Sequence, residues 1–297
     1  MRSYQKLINE MNLGRCVLID GATATELERR GVPQIKNAWN GGGALSHPEI
    51  LQDIHQQYIK TGARVIISNT FANCKHTLED ADQLHNFRRL NSRGVSIAID
   101  ARIKEKKTDV LVAAGISYWS FIDRYPGLHE LEKNITEQVF IMKEAGADLV
   151  MLEMMVDIDR MMVAIDSVKK AELPVWVGLS CKPNIIGEMC LLNGEKLSHA
   201  LNYLKSNNVD LVNIMHTDVR FVEDCLDIVQ EEWDGLCGVY AHSGNMKGSE
   251  WTFDDVISPV VYTNYVSKWI KRKINLVGGC CGITTDHMLH LSKTLFN

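Results

Sequence analysis

The chain has 297 residues, of which 45% are hydrophobic and 23% charged, and its formal net charge at pH 7 is -5. This composition is that of an ordinary globular protein, and the slight acidity argues against nucleic acid or an anionic membrane as a partner. The N-terminal stretch has no apolar signal segment, and no apolar run approaches the roughly 20 residues that cross a bilayer. We therefore predict a soluble, cytoplasmic protein.

Eight short runs of β-branched and other apolar residues predict eight β-strands. Their nearly continuous apolar character marks strands buried on both faces, and amphipathic stretches that end in glycine, as helices commonly do, lie between several of them. Eight parallel strands, each followed by a helix, form a (β/α)8 barrel of the α/β class, which fits a single domain over residues 1–297. A doubly wound parallel sheet is the alternative. In chain order the runs are VLID (17–20), VIIS (65–68), VLVAAGI (110–116), LVMLEM (149–154), VWVGLS (175–180), LVNIM (211–215), GVYAHS (238–243) and INLVGGC (274–280).

Polar residues follow most of the predicted strands. The active site of a (β/α)8 barrel lies at the carboxyl ends of its strands, so these residues are candidates for function. Loops also begin there, and position alone does not assign a role. The candidates are Asp20, Asn69, Glu153, Ser180, Asn213, His216, His242, Ser243, Cys280 and Cys281.

The adjacent residues Cys280 and Cys281 lie among glycines in the sequence GGCCG. Zinc binds thiolate and imidazole ligands, and a catalytic zinc usually has three protein ligands and one open position. Two adjacent cysteines can face one metal only where the strand has ended, since successive side chains of a strand point to opposite faces. Gly278, Gly279 and Gly282 make an irregular turn easy here. A vicinal disulfide and inert burial are the alternatives to metal binding.

Two acidic residues are also candidates. Glu153 interrupts an apolar run, and an unpaired buried carboxylate is costly, so we expect it to face a cavity and a cation such as a substrate ammonium group. The alternative is a structural ion pair with a lysine or arginine. Asp20 either binds a ligand or caps the turn that follows it.

Taken together, these stretches resemble the homocysteine S-methyltransferase family, a family of zinc-dependent barrels that methylate homocysteine. The resemblance covers residues from about 15 to 290, and its most specific motif is the Gly-Gly-Cys-Cys signature. The matching segments are DGATATELERRG (20–31), AWN (38–40), SNTFAN (68–73), LEMMVDIDRM (152–161), LSCKPN (179–184), AHSGN (241–245) and GGCCGITTDHM (278–288).

The resemblance implies roles for individual residues. Cys280 and Cys281 match two zinc ligands, Glu153 the carboxylate that receives the homocysteine ammonium group, and Asp20 an acid near the bound amino acid. Three further residues match positions that line the pocket. They are Asn69, Thr70 and Ser180. Zinc would convert the homocysteine thiol to a thiolate at neutral pH, and positioning of an activated methyl group would supply much of the rate.

The chain departs from the family at the third zinc ligand, which the family takes from a cysteine after the sixth strand. Ile214 occupies that position, and an isoleucine side chain has no donor atom. We rank His242 first as a replacement, because it ends the strand next to the cysteine strand. His216 comes second, since we expect it to lie in a loop, and Cys181 comes third.

The first functional hypothesis is an S-methyltransferase that moves a methyl group from a small activated donor to homocysteine or a related thiol. Because no cobalamin or folate domain follows residue 297, we expect a free donor such as S-methylmethionine, S-adenosylmethionine or a betaine-like compound. The second hypothesis is a noncatalytic relative that has lost zinc and binds a small molecule. A third is a barrel that uses the cysteine pair as a nucleophile or redox couple. We expect no nucleic acid or membrane partner and leave homo-oligomerisation open.

Overall fold

The barrel forms as the sequence predicts. In this computed structural model, which describes residues 2–247, 250–253 and 255–296, eight parallel strands follow the order β1-β12-β9-β8-β5-β4-β3-β2. A parallel bridge between Ile19 and Val65 joins the two ends of this sheet. The closed sheet excludes the doubly wound alternative.

Each of the eight predicted runs overlaps a barrel strand, and two short antiparallel hairpins, β6–β7 and β10–β11, are additions that the sequence did not predict. The strands are β1 Val17–Leu18, β2 Val65–Ile67, β3 Leu111–Ile116, β4 Leu149–Met155, β5 Val175–Leu179, β6 Cys181–Pro183, β7 Met189–Leu191, β8 Leu211–Asp218, β9 Leu236–His242, β10 Asn245–Lys247, β11 Glu250–Thr252 and β12 Leu276–Val277.

Helices surround the barrel and bury their apolar faces against it. Two short 3-10 turns, Leu84–Asn86 and Val219–Phe221, supplement them. None of the helices in the described ranges is long and apolar enough to cross a membrane. The α-helices are α1 Arg2–Asn12, α2 Thr23–Arg29, α3 Gly43–Ser46, α4 Pro48–Lys60, α5 Lys75–Asp80, α6 Phe87–Lys104, α7 Leu128–Glu144, α8 Ile158–Lys169, α9 Leu197–Lys205, α10 Val222–Glu232, α11 Pro259–Lys271 and α12 Thr285–Leu295.

Helix α1 covers the amino-terminal end of the barrel. Its Leu7 and Met11 are fully buried, and Tyr4 accepts a hydrogen bond of 3.1 Å from the indole nitrogen of Trp176 near the start of β5. Asn275, just before β12, donates to the Met11 carbonyl. With this end covered, the carboxyl ends of the strands remain as the place for a site.

Strands β4 and β8 each carry one extra residue near their carboxyl ends. The register with the neighbouring strand shifts between Leu152 and Met155 in β4 and between Met215 and Asp218 in β8. At each shift a residue other than glycine adopts positive φ, 53° at Met154 and 41° at His216. Such β-bulges change the direction of side chains at barrel rims. Here they lie beside two candidate residues, Glu153 and His216.

Candidate active site

The cysteine pair lies in the loop after β12, which ends at Val277. The Cys280 amide donates to the Ala241 carbonyl at 2.8 Å, and the Cys281 carbonyl accepts from the Ser243 amide at 3.0 Å. These bonds fix the loop to the end of β9. Both thiols then lie on one side, with 3.8 Å between their sulfur atoms, as adjacent cysteines can only where the strand has ended.

The glycines around the cysteines act in two ways. Only Gly282 among the three has positive φ, at 81°. Gly278 and Gly279 instead allow close packing, because a Cβ atom at these positions would lie 2.1 Å from Ile19 and 2.2 Å from Ile283. The sequence led us to expect backbone freedom from all three glycines, but only Gly282 uses it.

His216 approaches the cysteine pair. Its Nδ1 lies 3.5 Å from the Cys280 sulfur, and single donor atoms of His216, Cys280 and Cys281 all lie within 4.8 Å of one another. The expectation that His216 lies in a loop was wrong, because β8 continues to Asp218. The bulge after Met215 carries this ring to the cysteines, while Ile214 packs in the hydrophobic core.

The three donors fit a zinc ion. Zinc–sulfur bonds of about 2.3 Å and zinc–nitrogen bonds of about 2.0–2.1 Å at tetrahedral angles separate two sulfur ligands by about 3.8 Å and a sulfur from a nitrogen by about 3.6 Å. The observed distances are 3.8 Å between the two sulfur atoms and 3.5 Å from the Cys280 sulfur to the His216 nitrogen. One nitrogen and two sulfur donors are also the ligand types that zinc accepts in catalytic sites.

His242 and Cys181 lie outside this group of three donors in the part of the chain that the structure describes. The His242 ring instead packs against His216, with 4.6 Å between the ring centroids, and it is hydrogen-bonded to the His216 backbone. Burial lowers the pKa of His242 to about 3, and the neighbouring His216 adds to this effect. The geometry thus reverses the order that the sequence suggested for the two histidines.

The two thiols differ in acidity. The hydrogen bond with Cys280, together with the nearby His216, holds the pKa of the Cys281 thiol well below its usual value. The same hydrogen bond raises the pKa of Cys280, and burial adds to the rise. Cys281 therefore loses its proton more readily than an ordinary cysteine, and the thiolate is the form that binds a metal.

Glu153 and Asp20 are two buried acids, and the charges of Asp20 and Cys281 both act on Glu153. Burial raises the pKa of Glu153 to about 8, with further contributions from Asp20 and Cys281, and burial raises the pKa of Asp20 as well. The Asp20 carboxylate accepts a hydrogen bond of 2.7 Å from the Ile67 amide. Among the described residues neither acid has a salt-bridge partner, so the alternative of a structural ion pair at Glu153 is not found there.

Gly115 makes room for the Glu153 carboxyl group. A Cβ atom at this position in β3 would lie 2.7 Å from the Glu153 Oε2 atom. The glycine of the neighbouring strand thus leaves the space that the acid fills.

The three residues expected to line the pocket use their polar groups within the protein. Asn69 donates to the Asn40 carbonyl at 2.9 Å, and Thr70 donates to the Gly115 carbonyl at 2.8 Å. Ser180 donates to the Met215 sulfur at 3.1 Å. They hold together the loops and strands around the site, and their contact with substrate stays a prediction.

A cavity of about 990 Å³ opens beside the cysteines. His216, His242 and Cys281 line it, together with aromatic and charged side chains from the loops. This volume is enough for two small substrates side by side. The aromatic residues lining it are Trp39, Phe71, Trp119, Phe121, Tyr125, Phe221 and Phe253, and the charged ones are Glu28, Lys36, Asp123, Asp157, Arg160, Lys182 and Asp218.

Comparison with known proteins gives a family for this site. The family model described as homocysteine S-methyltransferase matches residues 17–295. The chain belongs to the homocysteine S-methyltransferase family. The resemblance inferred from the sequence motifs is thereby confirmed.

Two characterised relatives match this chain over nearly their whole length. Homocysteine S-methyltransferase 1 of Arabidopsis thaliana is 25% identical, with 95% of this chain and 94% of that protein covered. Selenocysteine Se-methyltransferase of Brassica oleracea var. italica is 24% identical, with 99% of this chain and 92% of that protein covered.

A family member of known structure has the same fold. The metallated form of the homocysteine methyltransferase MmuM from Escherichia coli superimposes with a TM-score of 0.77 at 20% identity, covering 94% of this chain and 96% of that one. The oxidized form of the same protein gives a TM-score of 0.78. At 20% identity, this structural similarity supports a common fold and does not by itself indicate a common reaction.

Two further residues at the site, Met215 and Tyr240, were not predicted from the sequence. The Met215 sulfur accepts hydrogen bonds from the Met154 amide at 3.2 Å and from Ser180, so it joins β4, β5 and β8 at the site. Tyr240 is buried, and burial together with the nearby charges of Glu153, Cys280 and Asp20 raises its pKa. Both lie in predicted strands, where an apolar or aromatic residue is most simply interpreted as core, and no sequence signal separates them from core.

Proposed function

We propose that this protein is an S-methyltransferase that moves a methyl group from a small activated donor to the thiol of homocysteine or a related thiol. The observation that carries the proposal is the group of three donor atoms from His216, Cys280 and Cys281. It supplies the ligands for one zinc ion in a chain that belongs to the homocysteine S-methyltransferase family.

His216, Cys280 and Cys281 would hold the zinc, and His242 would keep the His216 ring in place. When bound, zinc lowers the pKa of a coordinated thiol, so the acceptor sulfur would be a thiolate at neutral pH. The three donors come from the ends of β8 and β12, and each is fixed locally by a bulge or by backbone hydrogen bonds. Such preorganisation keeps the ligands in place before the substrate arrives.

Glu153 and Asp20 would bind the ammonium group of the acceptor amino acid. Both acids are buried and unpaired with a cation in the described residues, and burial raises the pKa of each. A neighbouring ammonium group would favour the ionised form of these acids and lower their raised pKa values, and a thiol acceptor without one would lose this interaction. The acids thus supply a reason for selecting an amino acid thiol.

The transfer itself needs no general base from the protein. The acceptor sulfur forms a bond to the methyl carbon while the bond between that carbon and the donor heteroatom breaks, and the heteroatom leaves with the electron pair. The protein must hold the sulfur, the methyl carbon and the leaving atom in line and exclude water. The cavity beside Cys281 offers the space for the donor.

The noncatalytic hypothesis rested on Ile214, which provides no ligand. The approach of His216 to both cysteines removes that argument, since three donors are present without residue 214. The hypothesis of a redox couple has no separate support, because the same two sulfur atoms are engaged with His216.

The test combines metal analysis with turnover. Protein purified without chelators or a metal-affinity tag should contain near one zinc per chain and should methylate homocysteine with at least one of S-methylmethionine, S-adenosylmethionine and betaine. Cys281→Ala should lose both properties. The matched control is Cys237→Ala at a cysteine near the start of β9, which should retain both. A wild-type protein that takes up no zinc when it is resupplied, and that turns over no donor, would refute the proposal.

Methionine biosynthesis, the cytoplasmic location and the oligomeric state stay predictions. Each can be examined by a separate experiment: growth of a deletion strain on homocysteine, cell fractionation, and ultracentrifugation.

A further inference from the structure

Arg160 lies at the edge of the cavity, in the first turn of α8. Its Nη1 donates to the Asp157 Oδ2 atom at 3.2 Å, and its guanidinium carbon lies 4.7 Å from the centre of the Tyr125 ring. Asp157 also caps α8, because its Oδ1 accepts from the Arg160 amide at 2.9 Å. One carboxylate and one ring therefore hold the guanidinium group in a fixed orientation.

Most N–H groups of the Arg160 guanidinium donate no hydrogen bond to the described residues of the protein. The group has five N–H donors, and within the described residues only Asp157 accepts one from the side chain. The Nε atom is buried and has no hydrogen-bond partner. A buried donor without a partner is costly and calls for an explanation. A ligand that accepts hydrogen bonds from this group would provide one.

A carboxylate is the ligand that fits. A planar carboxylate accepts two parallel hydrogen bonds from guanidinium. Lys182 also lines the cavity, is exposed, and adds a second positive charge on this side. Asp157 does not itself form this pair of parallel hydrogen bonds. Its Oδ1 atom accepts from the Arg160 backbone amide, and its Oδ2 atom accepts a single bond of 3.2 Å from the guanidinium group.

Two carboxylates are available in the proposed reaction, one on the acceptor amino acid and one on a donor. In the acceptor, the carboxylate and the ammonium group are attached to the same carbon atom, so a group that binds the carboxylate must lie near Glu153. Glu153 is not among the residues that line the cavity, and its Oε2 atom lies against Gly115 of β3. Arg160 lines the cavity from the first turn of α8. The two side chains therefore face different parts of the site, and the donor carboxylate in the cavity is the one that fits Arg160.

We propose that Arg160 binds the carboxylate of the methyl donor and so selects donors that carry one. The inference rests on the proposed methyl transfer and specifies the donor side of it. Asp157 and Tyr125 are positioning residues, since they orient the guanidinium group. A methyl donor of the same size without the carboxylate would leave the N–H groups of the Arg160 guanidinium without this hydrogen-bond partner.

The experiment compares S-methylmethionine with its carboxamide as donors, in the wild type and in Arg160→Gln. In the wild type, the carboxamide should have a donor KM about 10- to 100-fold higher, the range expected for loss of a charged hydrogen bond. In Arg160→Gln the two donors should agree within about twofold, because the variant no longer distinguishes them. The homocysteine KM should stay unchanged. Arg160→Lys should restore part of the preference, which a purely structural role would not.

Lys36→Gln is the matched control, because it removes a cavity-lining cation that is not part of the proposed carboxylate site and should keep the preference. A preference for the carboxylate that survives in Arg160→Gln overturns the inference, and so does a rise in the homocysteine KM in place of the donor KM. If the wild type transfers no methyl group at all, the proposed function fails. Calorimetric affinities of the two sulfonium compounds for wild type and Arg160→Gln then decide the inference on their own.

Discussion

The His216 Nδ1 atom lies 3.5 Å from the Cys280 sulfur, although the two residues are 64 positions apart. This contact joins the end of β8 to the loop after β12. It depends on one extra residue in β8 and on positive φ at His216, a conformation that is uncommon for residues other than glycine. Backbone strain of this kind is concentrated at functional sites.

Replacement of His216 should release the metal. We expect His216→Asn to weaken zinc binding by more than the roughly 10- to 100-fold that loss of an outer-shell partner costs. His216→Cys should retain zinc, because a thiolate supplies a ligand at the same place. The measurement is zinc affinity by competition with a chromogenic chelator.

The control for that series is His242→Asn. Since His242 packs on His216 and lies outside the group of three donors, we expect at most the loss typical of an outer-shell partner, about 10- to 100-fold. Full zinc loss in this variant, with retention in His216→Asn, would show that the ligand is His242.

Glu153→Gln should weaken binding of the acceptor without releasing zinc. A hydrogen bond between charged groups is worth about 1.5–3 kcal/mol, so the homocysteine KM should rise about 10- to 100-fold. With 4-mercaptobutyrate, which lacks the amino group, wild type and variant should behave alike. Steady-state kinetics with both thiols and a zinc assay check the prediction. Zinc loss in Glu153→Gln would contradict the division between metal and substrate residues.

Gly282→Ala should disturb the cysteine loop. A Cβ atom at residue 282 would lie 2.0 Å from the Ser243 carbonyl oxygen, and φ is 81°, so both steric overlap and backbone strain oppose alanine. We expect a lower thermal midpoint together with reduced zinc content.

Gly187→Ala separates these two effects. Gly187 has a similar φ of 85°, and a Cβ atom there meets nothing within 4 Å. Gly187→Ala should lower the free energy of unfolding by only the left-handed backbone strain, about 1–2 kcal/mol. It should leave the zinc content unchanged. Equal effects of the two substitutions would argue against a special role for Gly282.

His55 should make the stability of the protein depend on pH. It is fully buried in α4, and burial lowers its pKa to about 4, whereas the unfolded value is about 6.5. As pH falls from about 6.5 to about 4, the unfolded chain binds a proton that the folded protein excludes, so the free energy of unfolding decreases by up to about 3 kcal/mol. Above pH 6.5 the effect is absent.

The variant His55→Leu removes this titration. Urea unfolding of wild type and His55→Leu at pH 7 and pH 5 should show a smaller loss of stability in the variant on acidification. An identical pH dependence of the two proteins would show that His55 does not titrate as the buried environment requires.

The barrel was predictable because its signal is local and repeated. Each of the eight apolar runs can bury both faces only in a parallel sheet covered by helices, and each run is a strand in the structure. The hairpins β6–β7 and β10–β11 were not predicted, since strands such as CKP and NMK lack the continuous apolar runs that mark the barrel strands. Helix α1 was likewise not predicted as the cover of the barrel.

The sequence by itself determined the barrel, the adjacent cysteine pair and the buried acid Glu153, because each is carried by a run of neighbouring residues. Only the tertiary structure decided the third donor. Strict alternation along β8 would give Ile214 and His216 the same facing, but a bulge, which depends on pairing with β9, breaks the alternation and brings His216 to the cysteines. The pairing of strands distant in sequence fixes that register, and no local pattern encodes it.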